Sequence, residues 1–377
     1  MPNAGGSVNY VYRLLNGIKD YSIVVYTSSF GNDLNADFDK TFNGKIIRSK
    51  YCQHVLEYFK GGGLKKRLYD LIAIFQVLNL MIKYRPRLVY FTEYSFIPLA
   101  YVIASWFYKF RFGIFTYAEE LLQDRDRPVH GRVIKKLLMD ADIIITVCNY
   151  TRNLINNIAN VDNKIHVIIP SVPQTNPSNT LLYYNKQKNM DEIRILTVAR
   201  LEERKGHIDV LEALARLVVK YPNIKYDIVG NGCYENKIRE KIKMLNLEST
   251  VSLLGRLSDE DLEKEYCRAH IFAMPHKQLE NGDTEGCPTV FLEAGLHFLP
   301  VVGGEAGGVG DAIKHGVTGF ICKKKTDDVY NYLETLILSP HKREEMGKAG
   351  YEYAIKFTTD KQSMLFKKIT DTYYHAE

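Results

Sequence analysis

The feature that most constrains this chain is the recurrence of short, continuous runs of β-branched and aromatic residues, separated by segments long enough to be helices. In the first half these are residues 22–27, 87–92, 112–116, 143–147 and 165–169. In the second half they are 193–199, 225–229, 251–254, 271–274, 300–302 and 319–321. A strand with one wet face alternates apolar and polar side chains, whereas a strand covered on both faces does not. Runs of the second kind joined by helices predict parallel sheets with crossover connections, so the fold class is α/β. At 377 residues the chain exceeds what one hydrophobic core usually serves. Pro170-Ser171-Val172-Pro173 and the Asn-, Gln- and Ser-rich stretch 174–191 divide the two sets of strands and read as a linker. Two doubly wound, Rossmann-like domains are therefore expected, 1–172 and 173–356, with 357–377 as a terminal amphipathic helix. Facing each other, such domains place strand C-termini and glycine loops across a central cleft, where a ligand binds.

Composition narrows the class. With 46% apolar and 25% charged residues the chain is neither disordered nor membrane-like. Its longest apolar stretch, 96–110, contains Pro98 and is too short for a span, and no signal peptide is read ahead of Gly5. The six cysteines (52, 148, 233, 267, 287 and 322) show no paired spacing, which fits reduced thiols in a cytoplasmic protein and indicates neither a disulfide framework nor a zinc site. Charge is uneven: residues 1–170 hold 22 Lys and Arg against 14 Asp and Glu, and the remainder holds 28 against 30. Lys60, Lys65, Lys66 and Arg67 surround Gly61-Gly62-Gly63 beside the apolar helical segment 68–82. That patch suits anionic lipid headgroups at a membrane surface, or is an ordinary solvated face. No nucleic-acid partner is expected.

The motifs that carry chemistry lie mostly in the second half. Glu285 and Glu293 flank Gly286-Cys287-Pro288-Thr289-Val290, in which Gly286 and Pro288 read as loop and residues 289–295 as the start of a helix. The first turn of a helix leaves N–H groups unpaired at the positive end of the dipole, which suits a phosphate. Glu293, one turn in, is placed to reach ribose hydroxyls, and Glu285 to meet the far end of the same ligand. The apolar run from Leu299 then opens into a glycine-rich turn at Gly303-Gly304-Glu305-Ala306-Gly307-Gly308. Arg200 and Lys205 follow the strand 193–199 and project from its C-terminal end, where two cations neutralise a diphosphate. Gly230, after 225–229, allows close backbone approach.

Together these residues resemble the retaining glycosyltransferases of family 4, and residues 195–320 follow that family's pattern in order. The resemblance implies the GT-B architecture and a nucleotide-sugar donor, held by Arg200, Lys205, Gly230, Glu285, Glu293 and the loop between the two glutamates. It implies that the base lies near Gly255-Arg256 and that the glycine loop Gly5-Gly6-Ser7 faces the donor phosphates and the acceptor. It also implies that the terminal helix crosses back to the first domain. The chain departs from the pattern twice. A strand normally precedes the first glycine loop, and here only Met1-Pro2-Asn3-Ala4 does. Where many members carry a His, or a Gly-Glu pair, facing the acceptor, this chain has Glu119-Glu120, either of which is a candidate acceptor-side base or a helix N-terminal acid.

The activity implied is metal-independent, retaining transfer of a hexose to a glycan or lipid-linked acceptor, with no cofactor beyond the donor. Asp124-Arg125-Asp126 has the form of a metal-binding triplet but follows an acidic helical segment. Gly303–Gly310 lacks dinucleotide-fingerprint spacing, and no histidines pair at a metal-ligand spacing. Two alternatives stay open: a nucleotide-sugar 2-epimerase of the same architecture, and a catalytically silent binding or scaffold protein.

Overall fold

The computed structural model describes residues 6–28, 39–40, 42–51, 64–92, 103–118, 121–122, 128–173, 192–280, 282–323 and 325–375. The chain forms two compact units, one of Met1–Ser171 with Thr359–Glu377, the other Val172–Thr358.

In the first unit β1 (Val24–Ser28) and β2 (Lys45–Ser49) form a parallel ladder in which Val24 faces Lys45 and Ser28 faces Ser49. A second parallel sheet has the order β3 (Leu88–Phe91), β4 (Arg111–Thr116), β5 (Ile143–Thr146), β6 (Ile165–Val167). Among the described residues no strand joins the two ladders. Helices among the described residues that accompany them include α1 (Gly6–Asn16), α2 (Leu64–Tyr84), α3 (Pro128–Asp140) and α4 (Asn149–Ile158). Phe112, Ile114 and Ile144 of β4 and β5 pack in one core with Ile134, Leu137 and Leu138 of α3 and Ile155 of α4, and the alternate residues Phe115, Ile143 and Ile145 are covered as well. This two-sided burial is why those strands read as unbroken apolar runs.

The second unit is a six-stranded sheet of β7 (Ile193–Val198), β8 (Ile224–Val229), β9 (Val251–Gly255), β10 (Ile271–Met274), β11 (Val301–Gly304) and β12 (Gly319–Cys322). The order is β12-β11-β10-β7-β8-β9 and every pair is parallel. Its helices are α5 (His207–Lys220), α6 (Glu235–Met244), α7 (Asp259–Arg268), α8 (Val290–Leu296), α9 (Val309–Ala312), α10 (Lys325–Leu338) and α11 (Pro340–Ala354). Val210, Leu211, Leu214 and Leu217 of α5 pack with Tyr226, Ile228 and Leu333 in one core. Local signals set the helix ends. Ser258 accepts from the Asp261 N–H ahead of α7, and Ser339 accepts from the Lys342 N–H ahead of α11, whose first position is Pro340. Fully buried Arg343 donates to the carbonyls of Leu336 and Ile337, in the last turn of α10. The order reverses between β7 and β10, so their C-terminal ends mark the switch point of the sheet, where open α/β sheets bind ligands.

The last helix, α12 (Thr359–Tyr374), belongs to the first unit. Ser363 Oγ donates to the Arg13 carbonyl of α1, Tyr90 of β3 meets Thr370 Oγ1 at 3.0 Å, and Phe366 packs against Tyr90 and Phe115. Among the described residues no helix is long and apolar enough to cross a membrane.

Every expected strand is present, most with ends shifted by one or two residues. Two features differ. β2 carries no strand signal beyond Ile46-Ile47, because charged Lys45 and Arg48 bracket it and it is only half-buried. The Gly303-Gly304 pair, read as the start of a turn, lies within β11, where Gly303 and Gly304 face Ile321 and Cys322 of β12. The expected linker 174–191 lies outside the described residues.

Candidate functional site

The loops after β7 and β10 meet in one ionic network. From Val198 the chain runs through Ala199 and Arg200 into a tight 3-10 turn, Glu203–Lys205, and then through Gly206 in the left-handed region (φ 75°) into α5. A Cβ at 206 would overlap the Pro275 carbonyl, so glycine alone lets this turn approach the loop after β10. The Lys277 N–H donates to the Arg204 carbonyl at 2.8 Å, fixing the two loops together. Both turn cations are buried against one carboxylate: Lys205 Nζ and Arg204 both contact Glu285 Oε1. Arg204 also meets Glu202 at 3.0 Å and Asp283 at 3.4 Å. Glu202 in turn holds Arg200 at 2.7 Å, and the Arg200 side chain is 69% exposed.

Burial, then the adjacent Arg204 guanidinium, pushes Lys205 down to about 7, because a desolvated ammonium beside another cation is costly. The Glu202 and Asp283 carboxylates work the other way by favouring the charged form. Two buried neutral histidines flank the network. Burial lowers both His207 and His276 to about 4. His276 lies 3.2 Å from the Ala306 carbonyl, through Nε2.

The glycine-rich loop after β11 closes over the backbone of Glu285 and Gly286. The Gly308 N–H donates to the Gly286 carbonyl at 2.9 Å. Gly307 has φ 52°, and a Cβ there would overlap the Glu285 carbonyl. Downstream, Cys287 is a reduced cysteine, Pro288 is buried, and Thr289 stands at the N-cap position of the seven-residue α8 without a side-chain cap. The N–H groups of Phe291 and Leu292 bond back to Pro288 and Thr289, so the tip of this helix narrows to the amides of Thr289 and Val290. Glu293, one turn in, accepts from the Tyr266 hydroxyl at 3.3 Å. Burial first, and the Glu293 charge next, hold the Tyr266 phenol well above its ordinary range, so it stays a donor.

The structure thus brings together Lys205, Glu285 and the 286–290 loop, with Glu293 on the helix that follows. Arg200 reaches the network through Glu202 and faces solvent, whereas Lys205 is buried within it. Gly230 serves the protein itself: a Cβ there would overlap the Ala199 carbonyl, and its N–H donates to Gly255 at 2.8 Å. Arg256 is exposed beyond the end of β9, an edge strand. Gly6 is the first residue of α1. Gly5, Lys60, Glu119, Glu120 and the Asp124–Asp126 triplet lie outside the described residues, and the side chains of Lys65, Lys66 and Arg67, in the first turn of α2, are likewise not described. Sequence reasoning missed Arg204 and Tyr266. Arg204 adjoins Lys205 in a run of charges, which is the one available signal; Tyr266 has none, since it meets Glu293 only through the packing of α7 on α8.

Residues 4–174 match the model of Glycosyltransferase Family 4, and residues 184–353 match that of Glycosyl transferases group 1. The chain belongs to the family 4 glycosyltransferases of GT-B fold. Among the relatives of this family 4 chain is the GDP-mannose-dependent alpha-(1-6)-phosphatidylinositol monomannoside mannosyltransferase of Mycolicibacterium smegmatis, 26% identical over 234 residues, 60% of this chain and 61% of that protein. Another is the amylovoran biosynthesis glycosyltransferase AmsK of Erwinia amylovora, 36% identical over 129 residues, 34% of this chain and 32% of that one. The match thus spans about three fifths of the mycobacterial relatives' length. Similar solved structures are Anabaena HepE in complex with UDP (TM-score 0.76, 17% identity, 98% of this chain and 96% of that chain) and sucrose-phosphate synthase from Thermosynechococcus elongatus (TM-score 0.77, 16% identity, 99% and 95%). At such identities the likeness concerns the fold.

Proposed function

We propose that this family 4 protein is a retaining glycosyltransferase that moves a hexose from a nucleoside-diphosphate sugar to a hydroxyl of a glycan or lipid-linked acceptor. The product belongs to a cell-surface polysaccharide or glycolipid, and the enzyme works in the cytoplasm, peripheral to the membrane. The observation that carries this reading is the buried contact of Lys205 and Arg204 with Glu285 at the switch point of the second unit's sheet. Two cations gathered on one carboxylate make a site that a diphosphate enters by taking the carboxylate's place. In the reaction the bond from the anomeric carbon to the diphosphate oxygen breaks and its electron pair stays on the diphosphate. The acceptor oxygen takes the carbon and loses its proton. Lys205, Arg204 and, from the solvent side, Arg200 meet the charge that grows on the leaving group, so their contacts count for more in the transition state than in the ground state. The amides of Thr289 and Val290 serve the same diphosphate, and Glu293, oriented by Tyr266, holds the ribose. Glu119 and Glu120 stay the acceptor-side candidates.

The lipid-linked acceptor draws support from the phosphatidylinositol mannosides in the names of the mycobacterial relatives. It also draws support from α2. Ala73, Ile74 and Met81 are buried on one side of that helix, while Leu68, Leu71, Phe75 and Ile82 form a second apolar stripe that faces solvent, with Phe75 72% exposed. Exposed Trp106 and Phe107 precede Tyr108, which donates to the Met81 carbonyl of the same helix.

The test is incubation of the protein with a panel of nucleotide sugars, alone and with glycan or lipid acceptors. Free nucleoside diphosphate and a glycoside that keeps the donor's anomeric configuration are the expected products. A changed sugar without acceptor would select the 2-epimerase, and no binding of any nucleotide would select the scaffold. Because the cations supply the positive charge at the diphosphate, transfer is expected to need no added magnesium or manganese. Loss on chelation that magnesium or manganese restores would return the role to Asp124 and Asp126.

A further inference from the structure

On the far side of Glu293 lies a second cluster, distinct from the cation network. Glu263 and Cys267 sit one turn apart on α7, so their side chains share a face, and His297 is the C-cap residue of α8. One ligand atom from each of the three lies within 4.8 Å of the other two, with His297 Nε2 at 2.8 Å from Glu263 Oε2. The ring is held in place before any ion arrives. Its Nδ1 is 2.8 Å from the Glu293 carbonyl oxygen, which can only accept, so Nδ1 donates there, and Nε2, which meets Glu263 Oε2, is the nitrogen an ion takes by displacing the proton of that contact. Tyr266 stacks on the same ring, centroids 4.7 Å apart and planes within 12°. An imidazole whose second nitrogen donates to a backbone carbonyl is how protein metal ligands are commonly oriented. His297 is nearly covered while Glu263 is 46% exposed, which leaves a path from water.

We propose that Glu263, Cys267 and His297 bind a borderline-soft divalent cation, zinc in particular. A set of one nitrogen, one sulfur and one oxygen suits zinc, which accepts all three in tetrahedral sites, and not magnesium or calcium, which take oxygen ligands. Three protein ligands leave the fourth position to water. The ion clamps α7 to the end of α8, and two links run from it to Glu293: the His297–Glu293 backbone bond, and Tyr266, which stacks on His297 and donates to the Glu293 carboxylate. The site stands whether or not Glu293 holds a ribose.

Cobalt is the probe. Titrated into the metal-stripped full-length protein, one equivalent is expected to give the charge-transfer absorption of a cobalt–thiolate bond, and zinc is expected to bleach it. Cys267→Ser should abolish the band, and Glu263→Gln, at an exposed position, should weaken zinc by tenfold or more in competition with a chelator. Thermal melts without metal check that both variants fold; should Cys267→Ser fail to fold, Glu263→Gln decides. Absence of a thiolate band in the wild type, an unchanged band in Cys267→Ser, or wild-type zinc affinity in Glu263→Gln would each overturn the proposal.

Discussion

Lys205 is buried, beside an arginine, and still in contact with a carboxylate, and its pKa of about 7 makes that arrangement measurable. A diphosphate against Nζ favours the ammonium, so above pH 7 donor binding must take up a proton. Affinity is expected to be flat with respect to this group below pH 7 and to fall by up to about tenfold per pH unit above it. Calorimetry at pH 8 in buffers of different ionisation enthalpy checks the uptake, and buffer-independent heats would mean that Lys205 does not meet the anion. Lys205→Ala is expected to lower turnover by about 10²-fold or more, and Arg200→Ala by less, since Arg200 is exposed and its charge is screened. Glu293→Gln should act on donor affinity instead, through the ribose. Near-normal turnover in Lys205→Ala would remove it from the reaction. Lys205, Glu285 and Glu293 were legible because their types and spacing recur in a family pattern. Arg204, Tyr266 and the Glu263–Cys267–His297 cluster were not, because their partners come from other segments and no spacing along the chain encodes them.

At the scale of elements, the site depends on loops that approach more closely than side chains allow. Gly206 ends the 3-10 turn, starts α5 and sits against the Pro275 carbonyl. In Gly206→Ala the left-handed conformation alone costs about 1–2 kcal/mol, and the overlap adds to it. The midpoint of thermal unfolding is expected to fall by several degrees, about 2–4 °C per kcal/mol for a domain of this size. Activity should fall further than stability, because the turn that carries Lys205 must move. A melt within a degree of wild type would contradict the geometry. Strands were the most legible elements, since burial on both faces leaves an unmixed apolar run. Their ends were less so: β11 runs on into Gly303 and Gly304 because β12 supplies ladder partners there, a tertiary fact that local glycine rules cannot contain.

At the scale of the molecule, the basic first half and the apolar stripe of α2 bear on where the protein works. If the acceptor is lipid-linked, the protein is expected to sediment with anionic vesicles at low salt and to be released as salt rises, each surface Lys or Arg adding about 1 kcal/mol. Replacing Lys65, Lys66 and Arg67 with Ser should weaken the charge-dependent part, and Phe75→Ser the apolar part, with donor binding untouched. Wild-type protein that ignores acidic vesicles would make the acceptor a soluble one.

The first unit is assembled from two stretches of chain with the whole second unit between them. The ribosome makes those pieces at different times. The Tyr90–Phe115–Phe366 cluster and the bond of Ser363 to α1 need residues that emerge only after Thr358. At about 5–20 residues per second, synthesis of the second unit imposes a wait on the order of 10–40 s. During it, the face of α1 and β3 that α12 covers is open to water and to chaperones. The unit made later is therefore the one able to finish first, and the earlier unit matures only when α12 arrives. Nascent chains arrested after residue 358 are expected to resist proteolysis over 192–358 while remaining cleavable within 6–171.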